Sequence, residues 1–193
     1  MIRRIIRSGL AVGLMVAAAL AAAGPSTDPS QDLPVELPAK PQAPALVMED
    51  LDGRKHDLAD YGGGWVLVHF WASWCGPCIE ELPSLDRLQN ALGKRLQVLA
   101  VNLGDTREKA RQTAAPLGLT IPVLLDLDSR FGAAWQVQGL PTSYLVTPSG
   151  TIWGGVLGSR DWSAPPMVEW LTGLTDERAQ DSHFQRVKRH EQP

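Results

Sequence analysis

The sequence predicts an α/β domain with a central mixed β-sheet and helices on both faces. Three observations carry this. Apolar strand patterns alternate with helical ones between residues 65 and 135, which argues for strands joined by helical crossovers. Turn-bounded pairs of short strands stand at both ends of that stretch, around Asp50-Leu51-Asp52-Gly53 and Pro148-Ser149-Gly150. The chain has 193 residues, 44% of them hydrophobic and seven of them Trp, enough for one well-packed domain plus extensions.

The first 23 residues stand apart. Arg3, Arg4 and Arg7 precede the 14-residue apolar stretch from Leu10 to Ala23, which ends Ala21-Ala22-Ala23. This is the pattern of a secretory signal peptide with an A-x-A-like cleavage site, or of an N-terminal membrane anchor if it is retained. The stretch is short for a span, which needs about 20 residues, although Ile5 and Ile6 could lengthen it. Either form exports the domain. The Arg pair is also a weak match to a twin-arginine signal. Removing residues 1–23 takes three of the 18 positive charges and none of the 21 acids, so the net charge goes from −3 to −6. With no basic cluster interleaved with aromatics, nothing points to nucleic acid. Residues 24–43, with Pro25, Pro29, Pro34, Pro38 and Pro41, read as a stiff extended linker.

From Ala45 a compact pattern begins. Leu46-Val47-Met48 and Lys55-His56-Asp57-Leu58 read as the strands of an N-terminal hairpin. Gly62-Gly63-Gly64 precedes the strand Trp65–Trp71. A phosphate loop follows its strand and carries Lys-Ser/Thr, so these glycines are not one. A helix from Gly76 to Leu92 puts Ile79, Leu82, Leu85, Leu88 and Leu92 on one face, and Pro83 is expected to kink it. Leu96–Asn102 reads as a buried strand and Thr106–Leu117 as a helix capped by Asp105 or Thr106. Next come a strand over Pro122–Leu127 and a short helix over Ser129–Trp135, capped by Asp128 or Ser129. Thr142–Thr147 and Thr151–Leu157 form a second hairpin, and Trp162–Leu174 a last amphipathic helix. The domain is placed at 44–173, ahead of a polar, frayed tail at 174–193.

The chemistry is concentrated in Trp74-Cys75-Gly76-Pro77-Cys78, which holds the only two cysteines. Two intervening residues let a disulfide ring close across a first helical turn. With Cys75 at a helix N-terminus, unpaired backbone N–H groups and the positive end of the macrodipole favour its thiolate, the form that attacks disulfides. Pro77 suits the first turn, where its missing N–H is no loss. Cys78, one turn deeper, would resolve the mixed disulfide. A zinc site would need about four ligands, and His56, His69, His183 and His190 have no ligand spacing. A purely structural disulfide is possible, but closing so short a loop removes little chain entropy. A thiol peroxidase would need a peroxidatic cysteine outside the pair.

Phe70-Trp71-Ala72-Ser73-Trp74-Cys75-Gly76-Pro77-Cys78 resembles the active-site segment of thioredoxins. Three features resemble the exported TlpA/ResA-like branch, which includes the reductases of cytochrome c maturation. Cys78 is followed by Ile79-Glu80-Glu81-Leu82-Pro83. An extra α/β unit runs from Ala100-Val101-Asn102 to Pro122–Asp126. Val137-Gln138-Gly139-Leu140-Pro141-Thr142-Ser143-Tyr144 is similar to the branch's cis-proline strand. The resemblance covers about residues 44–173. It implies a thioredoxin-like fold with an α/β insertion, a cis bond before Pro141, and a substrate groove formed by Trp74, Gly76, Pro77, Leu140, Pro141 and Thr142. From local sequence alone a trans Pro141 would be expected.

Three further residues carry two readings each. Glu81, three residues past Cys78, can share its helix face and move protons, or it can be a solvated helix glutamate. Trp74 can shield the nucleophile or simply lie on the surface, whereas Trp71 belongs to the core. His69 stands where many thioredoxins have a buried Asp; it can tune the Cys78 proton or be a satisfied core histidine. The expected function is that of an exported thiol–disulfide oxidoreductase, most readily a monomeric reductase. It would be fed by a membrane thiol–disulfide donor and act on exported proteins such as apocytochrome c. An oxidase or isomerase runs the same chemistry the other way, and a copper metallochaperone would want more His or Met ligands. No nucleotide, flavin or metal is implied, because the dithiol is itself the redox group.

Overall fold

Trp65 to Trp71 are buried without exception, and their side chains alternate between two cores. Trp65, Leu67 and Trp71 belong to one core, and Val66, Val68 and Phe70 to the other. A strand covered on both faces reads as a nearly continuous apolar run. The computed structural model describes residues 33–176. In chain order its elements are β1 (Val35–Glu36), β2 (Val47–Glu49), β3 (Lys55–Asp57), β4 (Trp65–Trp71), α1 (Gly76–Leu92), β5 (Leu96–Leu103), α2 (Arg107–Ala114), β6 (Val123–Asp126), α3 (Arg130–Ala134), β7 (Thr142–Val146), β8 (Ile152–Leu157) and α4 over 165–176.

The sheet order is β1-β8-β7-β4-β5-β6, with β2 and β3 as a separate hairpin. β4, β5 and β6 run parallel, while β7, β8 and β1 pair antiparallel to their neighbours. Leu82, Leu85, Leu88 and Leu92 of α1 and Met167 and Leu171 of α4 fill the core on one face. Met48 of the hairpin lies in the core on the other face, and Phe131 of α3 packs against it. The α/β sheet with helices on both faces is the predicted architecture.

The differences have identifiable causes. A strand, β1, forms inside the segment read as linker. Val35 and Glu36 sit opposite Gly155 and Gly154, and a Cβ on Gly154 would stand only 2.2 Å from the Val35 carbonyl oxygen. Two glycines facing an extended, proline-flanked segment therefore make the pairing possible. The last helix begins at 165 rather than 162, because Pro165-Pro166 suit a first turn and Asp161 takes the Ser163 N–H ahead of it. α2 stops at Ala114 and gives way to a tighter turn over Ala115–Leu117, which contains Pro116. Its predicted cap holds: Thr106 accepts from the Lys109 N–H. Of the two caps expected for α3, Ser129 makes no side-chain cap bond, while Asp128 Oδ1 accepts from the Arg130 N–H at 3.4 Å. Asp126 also accepts from the Gly132 N–H at 2.8 Å. α1 continues past Pro83 to Leu92 as one helix.

Among the described residues no helix is long and apolar enough to cross a membrane. The signal or anchor expected in residues 1–23 lies outside the described residues, as do 24–32 of the linker and 177–193 of the tail.

A hydrogen-bonded chain seats the hairpin on the sheet. His56 bridges the Tyr61 hydroxyl (2.6 Å) and the Asp50 carboxylate (2.9 Å). Asp50 also accepts from the Asp52 and Arg54 N–H groups. Burial pushes the Asp50 carboxyl up, but the bonds from His56, Arg54 and Asp52 outweigh it and hold the group below the ordinary carboxylate range. Next to it, Leu51 N donates to Val123 O at the β6 edge. His56→Ala is expected to cost about 1–2 kcal/mol by leaving Asp50 and Tyr61 short of a partner. Thermal unfolding would then show a midpoint lower by about 2–8 °C, with the Cys75–Cys78 potential unchanged.

Candidate active site

β4 ends at Trp71, the chain turns through Ala72–Trp74, and α1 begins at Gly76 with Cys75 as its N-cap. Cys75 N donates to Ala72 O at 3.1 Å and Ile79 N to Cys75 O at 3.2 Å, so the turn runs directly into the helix. Pro77 lies in the first turn, and both Gly76 and Pro77 are exposed. Cys75 and Cys78 are joined in a disulfide with Cα atoms 5.3 Å apart. Cys75 is 6% exposed and Cys78 fully buried. Cys75, at the helix tip, is thus the less enclosed of the pair, and Cys78 lies one turn deeper.

The strand register brings the proline loop to the same place. β4 pairs with β7 from Val66↔Val146 to Phe70↔Thr142. Pro141 therefore follows on at the sheet end where Trp71 leads into the cysteine turn. The Leu140–Pro141 bond is cis, as the motif implied and local sequence alone did not. The carbonyls of Pro141 and Gly139 are occupied by Gly158 N (2.9 Å) and Thr142 Oγ1 (2.7 Å). Leu140 lies between them, half-buried against the core that holds both cysteines. Ser159, just past β8, reaches the Pro77 carbonyl at 3.5 Å.

Glu81 is not a solvated helix glutamate. It is 3% exposed, on the same buried face of α1 as Cys78, and Trp162 Nε1 donates to its Oε1. It lines a cleft of about 460 Å³ together with Ser84, Ser159 and Arg160. Burial pushes its carboxyl up to about 7, against the opposing hydrogen bonds from Trp162, the Arg160 backbone and Ser159. Neighbouring Glu80 is exposed. His69 is fully buried. Its Nδ1 meets Ser143 Oγ at 2.9 Å, across the β4–β7 pair, while Nε2 has no partner among the described residues. Burial pulls its pKa down to about 3, so the ring is neutral. Trp74 is 73% exposed and Trp71 completely buried.

The model of the AhpC/TSA family matches residues 39–153. The chain belongs to the AhpC/TSA family. Within it, the chain is 37% identical over 111 residues to thiol-disulfide oxidoreductase ResA of Geobacillus thermodenitrificans, a match covering 57% of this chain and 64% of the relative. It is 32% identical over 118 residues to ResA of Bacillus subtilis, covering 61% and 66%. The chain thus spans just under two thirds of the length of these curated relatives. Among solved structures, a Chlorobium tepidum protein assigned as thiol:disulfide interchange protein DsbE superposes with a TM-score of 0.63 at 30% identity, covering 74% of this chain and 98% of that one. The fold of this AhpC/TSA-family chain is thioredoxin-like, as the motif implied.

Two contacts at the site of this family member escape a reading of the sequence. The Glu81 partner, Trp162, is 81 residues away and carries no local signal. Asp105 reads locally only as a possible helix cap. In the structure it leaves that role to Thr106 and instead accepts from Ser73, two residues before Cys75.

Proposed function

We propose that this chain is an exported thiol–disulfide oxidoreductase that reduces disulfides in exported proteins, with apocytochrome c as the leading substrate and a membrane thiol–disulfide donor as its electron source. The observation that carries this reading is the Cys75–Cys78 disulfide at the N-terminus of α1, at the sheet end shared with the cis-proline loop. Support comes from the relatives' names and from the signal-like segment before residue 24. In the forward step the Cys75 thiolate attacks a substrate disulfide, the substrate S–S bond breaks, and the released thiolate takes a proton. Cys78 then attacks Cys75 Sγ and frees the second substrate thiol, so two electrons pass to the substrate. Glu81, on the Cys78 face, is the proton relay. Leu140, Pro141 and Thr142 with Trp74, Gly76 and Pro77 form the groove, where Leu140 is left to meet an extended substrate backbone.

The reduction potential of the pair tests the direction of flow. A value at or below about −250 mV, near thioredoxin at about −270 mV, is expected of a reductase. A value near the oxidant DsbA, about −120 mV, would overturn the reductase reading in favour of disulfide formation.

A further inference from the structure

The cysteine turn is held from outside by one carboxylate. Asp105 Oδ2 accepts from the Ser73 N–H at 2.7 Å, and Oδ1 accepts from the Ser73 hydroxyl at 2.7 Å. Asn102, fully buried, donates from Nδ2 to the same Oδ2 at 2.8 Å. Asn102 lies opposite Trp71 in the β4–β5 register, so the carboxylate is anchored beside the last residue of the strand that delivers the turn. Gly104 has a φ of +72° and donates to Asp126 O at 2.9 Å, which fixes the bend leading into Asp105. Both donors of Ser73 are therefore committed to a residue contributed by the β5–α2 connection. The turn itself is closed by Cys75 N on Ala72 O. Fixing Ser73 from one side and Ile79 from the other leaves Cys75 little freedom.

We propose that Asp105 is a positioning residue for Cys75: by clamping Ser73 it preorganises the turn so that Cys75 closes readily on Cys78, which lowers the reduction potential of the pair. The inference rests on the redox reading of the pair. It requires only that the disulfide can be made and broken reversibly, not that the substrate or the direction proposed above is right. Holding reacting groups in place raises their effective concentration, and loosening them lowers it. Loss of the clamp weakens disulfide closure relative to the dithiol and so raises the reduction potential.

The test is equilibration of the full protein with reduced and oxidised dithiothreitol. Dithiothreitol supplies two electrons and two protons, the Cys75–Cys78 bond opens, and dithiothreitol closes its own disulfide. Asp105→Ala is expected to lower the closure constant about three- to tenfold, a rise of up to about 30 mV. Asp105→Asn should stay near the parent, because its carbonyl can take both N–H donors while its amide donates to the Ser73 hydroxyl, which accepts as well as donates. The control is Asp86→Ala. Asp86 likewise accepts several hydrogen bonds, from Thr120 N, Thr120 Oγ1, Ile121 N and Asn90 Nδ2, but none of them involves the cysteine turn. It should lose thermal stability and keep its potential. An Asp105→Ala shift no larger than that of Asp86→Ala overturns the proposal. So does an Asp105→Asn shift as large as that of Asp105→Ala, which would assign the effect to charge and not to position. If Asp105→Ala does not fold, Ser73→Ala decides: it removes one of the three bonds, a smaller rise is expected, and no rise overturns the clamp.

Discussion

Cys78→Ser is expected to leave the protein covalently attached to a disulfide substrate such as insulin, and Cys75→Ser is expected to leave it free. The asymmetry follows from position. Cys75 caps α1, where the first-turn N–H groups lack helical partners and favour an anion, and it is the only residue of the pair with any exposure. Cys78 is enclosed one turn in and can reach only what Cys75 has already captured. Without Cys78 the mixed disulfide forms and stalls, because the second attack has no nucleophile. Without Cys75 nothing is captured. Turnover should fall to the level of the small-thiol reductant alone in both variants, a loss of about a thousandfold or more, since the two groups act as a unit. Mass spectrometry under non-reducing conditions separates the variants: an adduct of equal yield in Cys75→Ser would reverse the assignment of roles.

Glu81→Gln is expected to flatten the pH dependence of exchange around neutrality and slow the step that resolves the mixed disulfide, on the order of a hundredfold at its optimum. A carboxyl at about 7 is half protonated at neutral pH, so it can both take a proton and return it. The variant also has a stability signature. The folded-state value lies above the ordinary 4.5, so the native state binds the extra proton, and the stabilisation this gives is complete below about 4.5. It is lost as pH rises through about 7, because the buried group must then ionise in the fold. Glutamine never ionises and can keep the Trp162 hydrogen bond through its amide oxygen. The variant should match the parent near pH 4 and exceed it by about 1–3 kcal/mol near pH 8, measured by chemical unfolding at both pH values. A parent-like pH profile of exchange in the variant would remove Glu81 from the proton path.

Much of this site is legible in the chain, and the part that is not shares one property. The Trp65–Trp71 strand and the Gly76–Leu92 helix have the bounds their sequence predicts, because apolar periodicity and the C-x-x-C junction are local signals. The cis bond before Pro141 is signalled by a motif, not by composition. What stays hidden is long-range. A glutamate beside a second glutamate on a helix gives no sign of being buried; that depends on Trp162 arriving from the far end of the domain. The Asp105–Ser73 contact spans 32 residues, and each partner looks locally like an ordinary turn or cap residue. β1 depends on two glycines more than a hundred residues downstream that leave room for it. His69 is buried against Ser143 Oγ, a partner 74 residues away that no local pattern names.

The two borders of the sheet acquire a meaning once extended client chains are considered. A bare outer strand is a template on which any unfolded segment can add itself. Here one border ends in a two-residue strand flanked by Pro34 and Pro38, and a proline has no N–H to offer a newcomer. The other is crossed by the hairpin, where Asp50 bridges to Leu124. On the function proposed above, a polypeptide presenting its disulfide to Cys75 thus finds, among the described residues, little free backbone on which to zip up and stay.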